Sequence, residues 1–139
     1  MICDGFHIAP HRVKLAYRLA GERLVLITDS MEATGCGDGR YSIAGLPVIV
    51  KDGRAVTIEG ALAGSTLTLF DGMVNFMRFA GASLEDAIPL ATENPARMTG
   101  LYGTVGSITP GKRADMILLD DPADPKIRSV VCGGAILHS

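Results

Sequence analysis

Two short apolar runs flank one amphipathic segment at the start of the chain, and their spacing restricts the fold more than anything that follows. "MICDGFHIAP" opens on an apolar stretch, "PHRVKLAYRLAG" has helical periodicity, and "RLVLITD" ends a continuous apolar run on Asp29. Strand, helix, strand within ~30 residues is the βα unit of a parallel sheet, because parallel neighbours need a crossover connection. The uninterrupted apolar run predicts a strand buried on both faces. In the helix, Pro10 suits the first turn, Val13, Leu15, Ala16 and Leu19 supply an apolar face, and Gly21 suits the end. A strand that begins at residue 2 without a polar lead-in predicts that the chain continues a longer one.

The pattern then changes. "YSIAGLPVIVKDGRAVTIEGAL" holds two β-rich segments joined around Asp52-Gly53, a strong hairpin signal. A helix is predicted from about Thr66 to Ala80 with Gly81 as its stop. Ser83 and Asp86 set up a capping box for a second helix that Pro89 should kink or shorten. Short strands return in "VGSITPG", "ADMILLD" and "IRSVVCGGAIL", separated by Pro-Gly and Asp-Pro turns. A parallel-type front and antiparallel-type strands behind it make more sense as pieces of two sheets, one a barrel and one a sandwich, than as one small domain.

Composition excludes several function classes. A net charge of -2, with no Lys/Arg cluster interleaved with aromatics, gives no reason to expect nucleic acid. The apolar runs are too short to span a bilayer, and the N-terminus lacks a signal-peptide pattern. Three cysteines, Cys3, Cys36 and Cys132, have no C-x-x-C spacing. That argues against a disulfide framework or a cysteine zinc site and fits a cytoplasmic location.

Candidate chemistry concentrates at strand ends, where parallel α/β folds place functional side chains. Asp29 and Asp4 both occupy such positions; a strand-end aspartate is either an acid/base group or a cap for the following turn. His7, just past Asp4, is a reasonable ligand contact. His7 and His11 have i, i+4 spacing, but Pro10 between them argues against a zinc pair, and His11 and His138 read as surface residues. "GCGDGR" matches no nucleotide-binding motif and indicates a flexible or tightly turning loop. In "LAGST" a Gly-Ser pair precedes a helix, which offers either a site for a polar or anionic group or simply a cap from Ser65 or Thr66.

Taken together, the motifs carry a resemblance. "PGKRADMILLD" looks like the C-terminal signature of the amidohydrolase superfamily, in which a small β-sandwich closes around a metal-dependent (β/α)8 barrel. More narrowly, "DGFHIAP", "LITDSMEATG", "LAGSTLTLFDGMVNF", "ATENPARMTGL" and "GSITPGKRADMILLD" occur in the order found in N-acetylglucosamine-6-phosphate deacetylases, over nearly the whole chain. The implied fold class is α/β: the C-terminal part of a (β/α)8 hydrolase barrel plus strands of a small β-sandwich. Residues 1–40 would be the last two βα units, 41–60 a hairpin of the sandwich or an active-site insertion, 61–104 the C-terminal barrel helices, and 105–139 returning sandwich strands.

The resemblance implies hydrolysis of the acetamide of N-acetylglucosamine 6-phosphate to glucosamine 6-phosphate and acetate. Asp29 matches the family's acid/base aspartate. Asp4, Gly5, Phe6 and His7 match one substrate-binding segment, and Leu62, Ala63, Gly64 and Ser65 match another, with His7 bonding the sugar or its acetyl group. The family's divalent metal, zinc or iron, is held by a glutamate and two histidines on earlier strands, and no such set stands at matching positions here. Phosphate recognition leans on an Asn and an Arg upstream of Asp4, which this chain also lacks. The 139 residues alone are therefore expected to be inactive. The expected partners are a small amino-sugar phosphate and a second copy of the full-length enzyme as a homo-oligomer, a dimer, with neither nucleic acid nor membrane. The alternatives are a non-catalytic module binding a sugar phosphate or a partner, and another amidohydrolase, against which "DGFH" and "LAGST" weigh.

Overall fold

The computed structural model describes residues 1–138. Four helices, α1 (Pro10–Ala20), α2 (Leu69–Ala80), α3 (Leu84–Ala91) and α4 (Glu93–Met98), accompany two three-stranded antiparallel sheets. One sheet is β1 (Gly39–Ile43), β2 (Leu46–Lys51) and β3 (Arg54–Thr57); the other is β4 (Met116–Leu119), β5 (Ile127–Cys132) and β6 (Ala135–His138).

The parallel front is present in reduced form. Ile2 and Ile27 form a parallel bridge across α1, and the Ile27 amide donates to the Met1 carbonyl at 3.1 Å. "RLVLITD" is not the fully buried strand that its composition predicts. Leu26 is buried and its amide donates to the Leu90 carbonyl at 2.9 Å, but Ile27 is exposed. Only the inward face of this segment meets the helices, so continuous hydrophobicity does not become two-sided burial. The α1 face differs as well. Val13 is buried and Tyr17 packs edge-on against Phe76 at 5.1 Å, whereas Leu15 and Leu19 are exposed. Residues 13 and 17 are one turn apart and share a face; residues 15 and 19 lie on the opposite one.

Helix ends follow their local chemistry. Gly81 closes α2 in the left-handed region at φ +68. Ser83 and Asp86 make both hydrogen bonds of a capping box at α3, and α3 stops two residues past Pro89, at Ala91. The N-terminus of α2 lies three residues later than expected, because Thr68 rather than Ser65 or Thr66 accepts the Asp71 amide. Asn94 of "ATENPARMTGL" donates to the carbonyls of Glu22 and Leu24, tying α4 to the segment that leads to Asp29.

Asp52-Gly53 is the β2–β3 turn, both residues at positive φ. Ala44-Gly45 makes an equivalent β1–β2 turn that divides what reads as one β segment into two strands. "VGSITPG" is not a strand. Gly106 sits at φ +89 so close to α4 that a Cβ there would stand 2.6 Å from the Ala96 side chain and 3.1 Å from the Thr92 carbonyl oxygen, so this stretch is a loop laid on α4. Two clusters form the core: Cys3, Val13, Leu26, Met73, Phe76, Ala80, Ala87 and Leu90 between helices and front segment, and Met31, Ala33, Val48, Val50, Ala55 and Ala63 under the first sheet. Burial pushes the Cys3 thiol up to about 11.

Candidate functional site

The parallel pairing of residues 2 and 27 brings the ends of both front segments to the same side of the molecule. Asp4 ends the first and Asp29 the second. Between them stands His7: its Nδ1 lies 2.7 Å from Asp4 Oδ2, and its Nε2 lies 4.0 Å from Asp29 Oδ2. The three side chains differ in access. Asp4 is 8% exposed, His7 20% and Asp29 56%.

Asp4 is fully engaged. Its Oδ1 accepts the backbone amides of Phe6 and His7, each at 2.9 Å, and its Oδ2 faces the His7 ring. Burial alone raises the Asp4 carboxyl, but hydrogen bonds from the His7 ring and from the His7 and Phe6 amides together outweigh it. The carboxyl is held below its ordinary value. Gly5, at φ +82, lets the chain turn sharply over the Phe79 ring, and Phe6 points outward, half exposed.

Asp29 itself is in the left-handed region, at φ +55. Aspartate tolerates this conformation better than most residues, yet it is not the end of a regular strand. A clamp from residues 64–67 holds it there. The Ser65 amide donates to the Asp29 carbonyl at 2.8 Å, and the Met31 amide donates to the Ser65 carbonyl at 2.9 Å. The Ser65 hydroxyl donates to the Thr28 carbonyl and accepts the Leu67 amide, and Ser30 Oγ donates to the Leu67 carbonyl at 2.6 Å. Gly64, at φ +67, permits the approach: a Cβ there would stand 3.1 Å from the Asp29 carbonyl oxygen.

The expected site residues therefore divide. Asp4, Gly5, His7, Asp29, Gly64 and Ser65 converge, with Phe6 at the rim. Leu62 and Ala63 belong to the neighbouring sheet: Leu62 bridges Val56, and the Ala63 amide donates to the Ala55 carbonyl at 3.1 Å. Ser65 is almost wholly buried, and its hydroxyl proton is used internally. Residues 28, 30 and 67 carry no motif that marks them; the glycine of "LAGST", Gly64, is the local signal from which a close approach could be read. His11 is exposed, and the surface role expected for His138 rests on a side chain outside the described residues.

The glycine loop is tightly turned rather than free. Gly35 and Gly37 have positive φ, and Asp38 accepts the Asp52 amide at 3.0 Å, fastening the loop to the β2–β3 turn. A cleft of about 280 Å³ lies beside it, lined by Asp38, Gly53, Thr66 and Asp71 among others, and includes neither His7 nor Asp29. Among the described residues no group of three or more His, Cys, Asp or Glu side chains is placed to hold a metal ion. Asp4 is spent on His7, so an exposed carboxylate and one imidazole nitrogen remain, which do not fit a metal centre by themselves. Among the described residues no helix is long and apolar enough to cross a membrane.

Comparisons with known proteins show what the whole chain is similar to. A family model described as the amidohydrolase family matches residues 8–137. The chain is 43% identical over 120 residues to a putative N-acetylgalactosamine-6-phosphate deacetylase of Escherichia coli K12, covering 86% of this chain and 72% of that protein. It is 42% identical over 117 residues to the N-acetylglucosamine-6-phosphate deacetylase of Vibrio furnissii, covering 84% of this chain and 29% of that one. A solved structure of a variant N-acetyl-D-glucosamine-6-phosphate deacetylase from Mycobacterium smegmatis, in complex with N-acetyl-D-glucosamine-6-phosphate, superposes with a TM-score of 0.87 at 33% identity. It covers 100% of this chain and 37% of that chain.

Proposed function

Because the chain belongs to the amidohydrolase family, we propose that it forms the closing part of a metal-dependent deacetylase that hydrolyses the acetamide of N-acetylglucosamine 6-phosphate. The products are glucosamine 6-phosphate and acetate, and the compartment is the cytoplasm. In this reading residues 1–40 are the last two βα units of a (β/α)8 barrel. Residues 41–60 are a hairpin of the sandwich or an insertion at the site, 61–104 carry barrel helices, and 105–139 return to the sandwich. The observation that carries the reading is the exposed Asp29 carboxylate, clamped just past the Ile2–Ile27 bridge beside His7.

Amide hydrolysis forms a bond from a water oxygen to the carbonyl carbon and breaks the bond to nitrogen. Water's proton must leave, and the departing amine must gain one. A single carboxylate can take the first proton and deliver the second, acting as general base and then general acid. Asp29 has the exposure for this, and His7 is placed to contact the sugar. A divalent metal, zinc or iron, supplies carbonyl polarisation in the family; its ligands are assigned outside these residues.

The test is reconstitution. The chain is mixed with the remaining portion of the Vibrio furnissii relative and zinc or iron, and acetate release is measured from the N-acetylated glucosamine and galactosamine 6-phosphates. Both sugars are needed because relatives acting on each are nearly equally similar. The expected result is turnover in the mixture, none from the chain alone, and a loss of about 10²–10⁴-fold on Asp29→Asn. Turnover by the 139 residues alone, or indifference to Asp29→Asn, overturns the reading.

A further inference from the structure

We propose that Asp4 is a positioning residue: it holds the His7 imidazole as the Nδ1–H tautomer and so turns an unprotonated Nε2 toward Asp29. The inference deepens the function proposed above, and it reassigns Asp4 from contacting substrate to orienting the residue that does.

At 2.7 Å, His7 Nδ1 and Asp4 Oδ2 are at the distance of a charge-assisted hydrogen bond. A carboxylate only accepts, so the proton belongs to Nδ1; with the proton on Nε2, two lone pairs would face each other across that gap. Nor can Asp4 swing away to serve a ligand. Its other oxygen takes two backbone amides, and the side chain is 8% exposed. The turn that buries the carboxylate is made by the same residues that carry the ring, so ring and carboxylate are fixed as one unit.

On the far side, Nε2 stands 4.0 Å from Asp29 Oδ2, too far for a hydrogen bond between them. With the Nδ1–H tautomer, both atoms are acceptors. They bracket a position that suits an O–H or N–H donor, such as a sugar hydroxyl or an amide nitrogen, and disfavours a carbonyl oxygen. Of the two contacts the family resemblance allows His7, the sugar's donors are therefore selected over the acetyl oxygen.

Long-range ¹H–¹⁵N correlation spectra of the uniformly ¹⁵N-labelled chain, at mildly alkaline pH where imidazole is neutral, report the tautomer directly. The expected spectrum has the His7 proton on Nδ1. In Asp4→Asn the amide oxygen keeps the two backbone donors while the NH₂ group donates to Nδ1, so the tautomer reverses to Nε2–H. A wild-type ring protonated on Nε2 or on both nitrogens, or an unchanged tautomer in folded Asp4→Asn, overturns the proposal. Should Asp4→Asn fail to fold by circular dichroism, the wild-type spectrum decides alone. In the reconstituted enzyme Asp4→Asn is expected to lower kcat by about 10–100-fold, on the scale seen when a metal-bound histidine loses the partner that orients it; an unchanged kcat overturns the positioning role. The tautomer is read without turnover, so its failure is distinguishable from failure of the deacetylase reading.

Discussion

At Gly64 any side chain would meet the Asp29 carbonyl oxygen at 3.1 Å, Ile43 at 3.2 Å and Met31 at 3.3 Å, in a backbone region that L residues rarely adopt. Gly64→Ala is therefore expected to cost about 1–3 kcal/mol in urea denaturation, from left-handed strain plus crowding. It should also impair the reconstituted enzyme, because the displaced neighbour is the backbone that aims Asp29. Asp4 gives a pH signature. Its folded carboxyl lies below the unfolded value of ~3.9, so its stabilising effect is complete above that value and fades as pH falls through the lower folded one. The difference in unfolding free energy between wild type and Asp4→Asn should shrink below pH ~4. Asp29 was legible in the sequence as the polar end of an apolar run. Its left-handed backbone was not, because the residue that grips it, Ser65, lies on a segment far along the chain: the Ser65–Thr28 bond spans 37 residues. The same distance hid the part played by the Ser65 hydroxyl, which local spacing cannot separate from a helix cap.

Among the elements, α3 shows how local chemistry sets a boundary. Ser83 accepts the Asp86 amide at 3.2 Å, and Asp86 accepts the Ser83 amide at 3.0 Å. Ser83→Ala should destabilise the protein by about 1 kcal/mol, read as a lower denaturation midpoint at unchanged slope. Signals of this kind were readable in advance: Gly81, the Ser83–Asp86 box and the Asp52-Gly53 turn all act within four residues. The failures share the opposite cause. Which face of α1 is buried depends on Phe76, and whether "VGSITPG" extends into a strand depends on α4 beneath Gly106. The Ala44-Gly45 turn was missed because alanine carries no turn preference; the strand pairing on either side forces its φ to +48.

At the scale of the molecule, much apolar surface lacks a covering. Ile117, Leu118, Ile136 and Leu137 of the second sheet are all exposed. Exposed apolar surface gathered on one small sheet favours association. The isolated chain is expected to grow in hydrodynamic size with concentration by dynamic light scattering, and the double substitution Ile117→Lys with Ile136→Lys to suppress that growth. A third of a relative's length, with a recognisable fold over all of it, is also what makes reconstitution a feasible experiment. The clamp on Asp29 carries one more consequence, for synthesis. A nascent polypeptide that has cleared the ribosome only as far as residue 60 already owns its aspartate but lacks Ser65 and Leu67, which pose it, so the chemistry of this chain matures not when its key side chain is made but when a later loop returns to grip it.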